Sequence, residues 1–255
     1  MTRVTPRLVA ADQVVADTVR WLERAVIGLN LCPFAKSVHV KHQIRYVVHD
    51  STAADALLDL LARELEGLAV ADPAQVDTTL LMAPHMFDDF LEFNDFLDAA
   101  DAVLRTHNLE GTLQIASFHP QFQFAGTAPD DISNFSNRSP HPTLHLIREA
   151  SIDRAVEAFP DAEMIYERNI ETLDKLGHEG WAALFPLPRK SERAFRDGSP
   201  PRHLQSRLEG GPSVLADFQP IRAGRTRTLR QHAHRSSALA RKRWAPARVA
   251  KCFRR

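Results

Sequence analysis

The stretch Thr78-Thr-Leu-Leu-Met-Ala-Pro84 indicates the fold class of this chain. Its first five residues form a short run of β-branched and apolar residues that predicts a buried β-strand, and Pro84 ends that strand. Two similar runs, Ile44 to His49 and Gly111 to Phe118, come before and after it. Segments with helical periodicity separate the three runs. We therefore predict an α/β fold with a small, mostly parallel three-layer sheet flanked by helices, and an α+β arrangement is the alternative.

The helical segments carry apolar residues at spacings of three and four. In the two connections between the strands these are Leu57, Leu60, Leu61, Leu65 and Leu68, and then Phe90, Phe93, Leu97 and Leu104. Further helices are predicted at residues 12–28, at 142–159 and at 167–176, the last of them ending at Gly177. We expect Trp181 to fold back onto the core.

The composition excludes several classes of protein. The chain has 255 residues, of which 44% are hydrophobic and 25% charged. No apolar run approaches the roughly 18–20 residues that a membrane-spanning helix needs, and the first twelve residues do not resemble a secretory signal. The two cysteines are too few for a disulfide framework. Such a low cysteine content is typical of proteins from a reducing compartment. We expect a cytoplasmic protein with no membrane partner.

The formal net charge of zero conceals two oppositely charged parts. Residues 1–188 carry 14 Lys and Arg against 28 Asp and Glu, whereas residues 189–255 carry 18 against 4. We expect a single acidic globular domain at 1–188, followed by a basic, disordered tail at 189–255. The tail is interpreted as a frameshifted extension, a solvated tail or a nucleic-acid arm. Nucleic-acid binding is not expected of the acidic domain, because its charge repels phosphates.

A long segment without periodicity, His119 to His141, follows the third predicted strand. Compact domains rarely keep a loop of about 23 residues unless it binds something or is disordered. Its aromatic residues argue against disorder, and ligands of α/β proteins often lie beyond the end of a strand. The loop is therefore either a ligand site or a packed structural loop.

An anion site is predicted at the end of this loop. Pro142 suits the first position of a helix, and the N–H groups of a helix start attract anions. Asn137, Arg138 and Ser139 stand just before it and would bind the carboxylate or phosphate of a small anionic molecule. The alternative is that Asn137 and Ser139 cap the helix and Arg138 pairs with an acidic side chain.

Cys32 is the candidate nucleophile. It precedes Pro33, which would open a short helix with Cys32 as its N-cap, and Lys36 follows one turn later. Backbone N–H groups and a positive charge stabilise a thiolate, and His119 or His145 could act as its base. A buried, inert cysteine is the alternative interpretation.

A metal site is the second hypothesis for the same region. His141 and His145 are four residues apart, the spacing that places two ligands on one face of a helix. With His119 or an aspartate they could hold a divalent metal in a hydrolase. No other cofactor is indicated, since the chain has neither a glycine-rich phosphate loop nor a spaced cysteine pair.

Four motifs resemble the family catalogued as domain of unknown function 1415. They are Gly28-Leu-Asn-Leu-Cys-Pro-Phe-Ala35, Gln114-Ile-Ala-Ser-Phe-His-Pro120, Gln123-Phe-Ala-Gly126 and the segment from Asn137 to Asp153. The resemblance covers about residues 12–185, so the basic tail departs from the family pattern. It implies no particular activity. The motif positions it marks are Cys32, His119, Asn137, Arg138 and His145.

Three functional hypotheses follow. The leading one is an enzyme acting on a small anionic metabolite, with Cys32 as the essential thiol, His119 or His145 as the acid/base, and Arg138 holding the anion. A metal-dependent hydrolase using His119, His141 and His145 is the second. The third is a non-catalytic binding or assembly module that uses the loop as its partner surface.

Overall fold

The computed structural model of this protein describes residues 9–158 and 164–186. The basic tail predicted at 189–255 lies outside these residues. Within them, four strands form one sheet: β1 (Ile44–Val48), β2 (Thr78–Met82), β3 (Leu113–Phe118) and β4 (Thr143–Arg148). The helices are α1 (Ala11–Trp21), α2 (Ala35–Val40), α3 (Ala54–Val70), α4 (Phe90–Thr106), α5 (Glu149–Ala158) and α6 (Ile165–Leu184). None of these helices is long and apolar enough to cross a membrane.

The sheet is mixed, so the prediction of a mostly parallel sheet is wrong. The strand order is β1-β2-β4-β3, and only β1 and β2 pair in parallel. Strand β4 runs antiparallel to both of its neighbours, with Leu80 and Ala116 opposite His145.

The error comes from the segment that follows Pro142, which was predicted to be helical up to residue 159. Thr143–Arg148 is a strand, and the helix begins only at Glu149. Leu144, Leu146 and Ile147 fit a helical stripe and a strand pattern almost equally well. The backbone donors and acceptors of β2 and β3 decide the conformation, because a strand between them satisfies both edges.

Helices cover both faces of the sheet. Leu81, Leu144 and Leu146 pack with the apolar stripes of α3 and α4, while Leu80 and Met82 pack against Val14 of α1. Adjacent residues of a strand point to opposite faces, which explains how the apolar run of β2 serves both layers. The expected three-layer arrangement is therefore present around a mixed sheet.

The helix predicted at residues 12–28 is confirmed. Helix α1 continues as a π-helical turn, Leu22–Ile27, and the helical region ends near Gly28. Asp89 caps α4, since its Oδ1 accepts hydrogen bonds from the backbone N–H groups of Leu91 and Glu92.

The helix predicted at residues 167–176 extends further than expected. Gly177 has φ 63° and ψ 177°, which interrupts α6 at the expected place, but helical structure resumes and reaches Leu184. Trp181 then packs on the loop, with its ring 5.2 Å from that of Phe135.

The topology brings four chain segments to one end of the sheet, which we call the carboxyl edge. It consists of residues 49–50 after β1, 83–89 after β2, 119–123 after β3 and 138–142 before β4. Backbone hydrogen bonds join these segments, among them Ala83 N–H to the Pro142 carbonyl at 2.9 Å and His119 N–H to the Asn137 carbonyl at 3.2 Å. Ligands of open α/β sheets commonly bind at such an edge.

Candidate functional site

Two histidine–aspartate couples lie at the carboxyl edge. His85 Nε2 is 3.2 Å from Asp50 Oδ1, and His141 Nε2 is 3.9 Å from Asp17 Oδ2. Burial lowers the pKa of His141, Asp17 raises it in part, and His85 lowers it further. The influence of His85 on His141 indicates that the two couples interact electrostatically.

The ring nitrogens of this cluster are buried and lack a hydrogen-bond partner in the protein. The side chains of His85 and His141 are 10% and 15% exposed, and the Nε2 atom of each has no hydrogen bond. The same holds for Nε2 of His49, which is 5% exposed and whose pKa is lowered mainly by burial. An unsatisfied buried polar atom costs about 1–3 kcal/mol, so these three imidazole nitrogens need a further partner, such as a ligand or an ordered water.

A cavity of about 430 Å³ opens at the same edge of the sheet. Four polar residues contribute to its wall, namely Asp89, Gln121, Gln123 and Arg138. The apolar part of the wall consists of Phe90, Leu91 and Pro129. The cavity thus combines apolar surface with opposite charges, as small-molecule sites do.

Arg138 is held rigidly in this cavity. Its Nε donates to the Phe122 carbonyl at 3.2 Å, its Nη2 donates to the Pro129 carbonyl at 2.5 Å, and its guanidinium lies 4.1 Å from the Phe135 ring centroid. No carboxylate in the described residues forms an ion pair with it. Burial lowers the pKa of Arg138, consistent with a cation that has no negative partner.

The helix start predicted to support an anion next to Arg138 is absent, because strand β4 begins there. Ser139 Oγ donates to the His141 carbonyl at 2.5 Å, and the Asn137 carbonyl accepts the N–H of His119. Both residues therefore stabilise the loop backbone. Of the three predicted anion-binding residues, Arg138 alone lines the cavity.

His119 is a structural anchor of the loop. Its Nε2 donates to the Phe87 carbonyl at 2.7 Å, and its Nδ1 accepts the N–H of Gln121 at 3.0 Å. The ring is 1% exposed and stacks on Phe93 at a centroid distance of 5.2 Å. With both nitrogens engaged, His119 has no atom available to act as an acid or base.

His145 lies in the middle of the sheet and not at its carboxyl edge. Its Nε2 donates to Thr78 Oγ1 at 2.7 Å, and that hydroxyl donates to the Leu146 carbonyl at 2.7 Å. Burial lowers the pKa of His145 to about 4. The imidazole is therefore neutral in the folded protein near pH 7.

This lowered pKa predicts a loss of stability in acid. The unfolded chain binds a proton at His145 below about pH 6.5, whereas the folded chain does so only near pH 4. Between these values the free energy of unfolding should fall by about 3 kcal/mol through this residue. Urea unfolding of the wild type and of His145→Gln at pH 7.5, 6.5, 5.5 and 4.5 measures the effect. We expect a shallower pH dependence in the variant, and parallel curves would contradict the assignment.

The proposed metal ligands His119, His141 and His145 do not form a site. In the part of the chain that the structure describes, no group of three His, Cys, Asp or Glu side chains is placed to hold a metal ion. The prediction depended on a helix, in which residues four apart are about 6 Å apart. At the start of a strand the same spacing separates them by about 13 Å.

Cys32 lies in the turn before α2 rather than at its N-cap, because that helix begins at Ala35 and Phe34 precedes it. The backbone stabilises the thiolate as expected, since the N–H groups of Phe34 and Ala35 lower the pKa of the thiol. Burial raises that pKa by more, and the net shift is upward. No histidine in the described residues is within hydrogen-bond distance of the sulfur.

We expect alkylation to show that Cys32 reacts slowly and that the pKa of its thiol is raised. In a Cys252→Ser variant of the full chain, Cys32 reports alone. We expect it to react more slowly than in the same protein unfolded in urea, with an apparent pKa above that of the unfolded protein. Iodoacetamide rates measured from pH 6 to 10 test this expectation. Fast alkylation with a midpoint below pH 8 would restore Cys32 as a candidate nucleophile.

Four residues of the cluster, Asp17, His49, Asp50 and His85, were not among the predicted site residues. A sequence signal for three of them exists: His49 ends one predicted strand and Asp50 follows it, while His85 comes just after Pro84, which ends the next. Polar residues at the carboxyl ends of neighbouring parallel strands are expected to meet. Asp17 carries no such signal, since only the packing of α1 on the sheet brings it to His141.

The fold and the site together define a mixed α/β domain with a histidine–aspartate cluster at the carboxyl edge of its sheet. The model of the family described as "Protein of unknown function (DUF1415)" matches residues 13–183. The chain belongs to this family, as its motifs predicted. No curated protein and no solved structure matches the chain.

Proposed function

We propose that this protein is an enzyme that binds a small anionic molecule at the carboxyl edge and transfers a proton to or from it. The observation that carries the proposal is the pair of couples His85–Asp50 and His141–Asp17, whose Nε2 atoms are buried and have no hydrogen-bond partner in the protein. An aspartate oxygen lies near each of these Nε2 atoms without forming a hydrogen bond to it, so each Nε2 can still exchange a proton with a bound substrate.

The chemistry of a histidine beside a carboxylate suits acid–base catalysis. The nearby negative charge of the carboxylate stabilises the imidazolium that forms when the ring accepts a proton. The lowered pKa of His141 keeps its ring neutral near pH 7, which is the form a general base needs. The interaction between His85 and His141 would let one ring accept a proton while the other donates one.

The cavity supplies the binding part of the proposal. Arg138 and His141 are three residues apart, so their Cα atoms lie within about 11 Å of each other. Asp89 and His85 are four residues apart, so their Cα atoms lie within about 14 Å. Two chain segments therefore connect the cavity wall to the two couples. Arg138 would hold the anionic group of the substrate, and the histidines would act on an adjacent part of it.

Other candidates for the catalytic role have weaker support. The ring nitrogens of His119 are both hydrogen-bonded, His145 lies away from the edge, and burial disfavours the thiolate of Cys32. A concave cavity with convergent polar groups favours an enzyme over an assembly module. A cytoplasmic location remains part of the proposal, based on the composition.

The experiment is a search for a conversion that depends on the two couples. Purified full-length protein is incubated with the anionic small-molecule fraction of a cell extract, and mass spectrometry compares wild type with the double variant His85→Gln/His141→Gln. His107→Gln is the matched control, because His107 follows the far end of the 17-residue helix α4. We expect at least one anion to be consumed by the wild type and the control only. Consumption by the double variant as well, or by none of the proteins, would overturn the proposal.

A further inference from the structure

We propose that the cavity recognises a zwitterion, a small α-amino acid with its carboxylate at Arg138 and its ammonium group at Asp89. The inference uses the anion site of the proposed function and adds a second, opposite charge to the substrate. Its basis is that one cavity wall carries both a guanidinium and a carboxylate, and neither forms an ion pair in the described residues.

The two charges are separated within the cavity. Only burial shifts the pKa of Arg138, and no carboxylate contributes to the shift. Among the described residues no ion pair joins Asp89 to the guanidinium, although both residues line the same cavity. A ligand that carries both charges can reach both groups, whereas a simple anion would leave Asp89 without a partner.

Asp89 has a free position for such a contact. As the N-cap of α4 it is held in place by the N–H groups of Leu91 and Glu92, and both of these donate to Oδ1. No described residue donates a hydrogen bond to Oδ2. The carboxylate is also close enough to His119 to raise the pKa of that ring, so its field reaches the loop.

The remaining wall suits the other parts of an amino acid. Phe90, Pro129 and Leu91 provide apolar surface for an aliphatic side chain, and Leu91 is 69% exposed. Gln121 and Gln123 offer amide groups beside the charges. A volume of about 430 Å³ lies within the usual range for small-molecule sites.

The test compares three probes of the same shape by calorimetry on the full-length protein. They are L-leucine, 4-methylpentanoate, which lacks the ammonium group, and 3-methylbutylamine, which lacks the carboxylate. We expect leucine to bind about tenfold tighter than either of the others, because each charged contact adds to affinity. Equal affinity for leucine and 4-methylpentanoate would overturn the inference while leaving the anion site of the proposed function intact.

Variants assign the two charges to their residues. Asp89→Asn keeps a good N-cap but removes the charge, so leucine should bind it no tighter than 4-methylpentanoate. Asp88→Asn, next to it and outside the cavity wall, is the control and should retain the preference. Arg138→Gln should lose leucine and 4-methylpentanoate alike, with its thermal midpoint measured to show that it folds. An unchanged preference in Asp89→Asn, or no binding of leucine to the wild type, would overturn the inference.

Discussion

Replacing His119 by alanine is expected to lower the free energy of unfolding by about 3–5 kcal/mol. The ring is almost fully buried and stacks on Phe93, so its removal leaves a cavity. The same change leaves the Phe87 carbonyl and the Gln121 N–H without their partners. Both the cavity and the two unpaired groups lower the free energy of unfolding.

Urea unfolding at pH 7.5 measures this loss, with His107→Ala as the control. His107 is 30% exposed and pairs with Glu66 at the surface, so we expect its replacement to cost less than 1 kcal/mol. Hydrogen exchange adds a local readout, since the amide of Gln121 should lose its protection in His119→Ala. A loss similar to that of the control would mean that His119 does not anchor the loop.

Replacing His85 or His141 by glutamine is expected to lower kcat/KM by about 100- to 10,000-fold for the anion identified in the extract. Glutamine keeps a polar side chain but cannot accept and return a proton. Because the loss is in proton transfer, it should appear in kcat more than in KM. Asp50→Asn and Asp17→Asn should have smaller effects, since they remove the charge that stabilises the imidazolium and leave the imidazole.

The double variant shows whether His85 and His141 act in one proton-transfer path or in two independent paths. If His85 and His141 act in a single path, their combined loss is smaller than the product of the separate losses. Steady-state kinetics of the wild type, both single variants and the double variant give this comparison. A tenfold rise in KM with unchanged kcat would instead make the two histidines binding residues and contradict their role in proton transfer.

Much of the local structure follows from short-range sequence patterns. The runs of β1, β2 and β3 were predicted correctly because they are short and bounded by turn residues, and the leucine stripe of α3 because it is too long for a strand. The Asp89 cap and the interruption of α6 at Gly177 depend on one residue and its neighbours in sequence. Arg138 was predicted to hold an anion, and it lines the cavity, although the helix start expected beside it is a strand.

The tertiary structure decided what the patterns left open. Residues 143–148 fit a helix or a strand, and the unpaired edges of β2 and β3 selected the strand. That choice separated His141 from His145 and moved the site to the carboxyl edge, where Asp17, Asp50 and His85 converge from three other segments. Apart from β4, the sequence by itself determined which elements form, because those signals act within one helical turn or one strand. Burial and contact between distant segments are properties of the packed chain, and they determined which histidine nitrogens have no hydrogen-bond partner in the described residues.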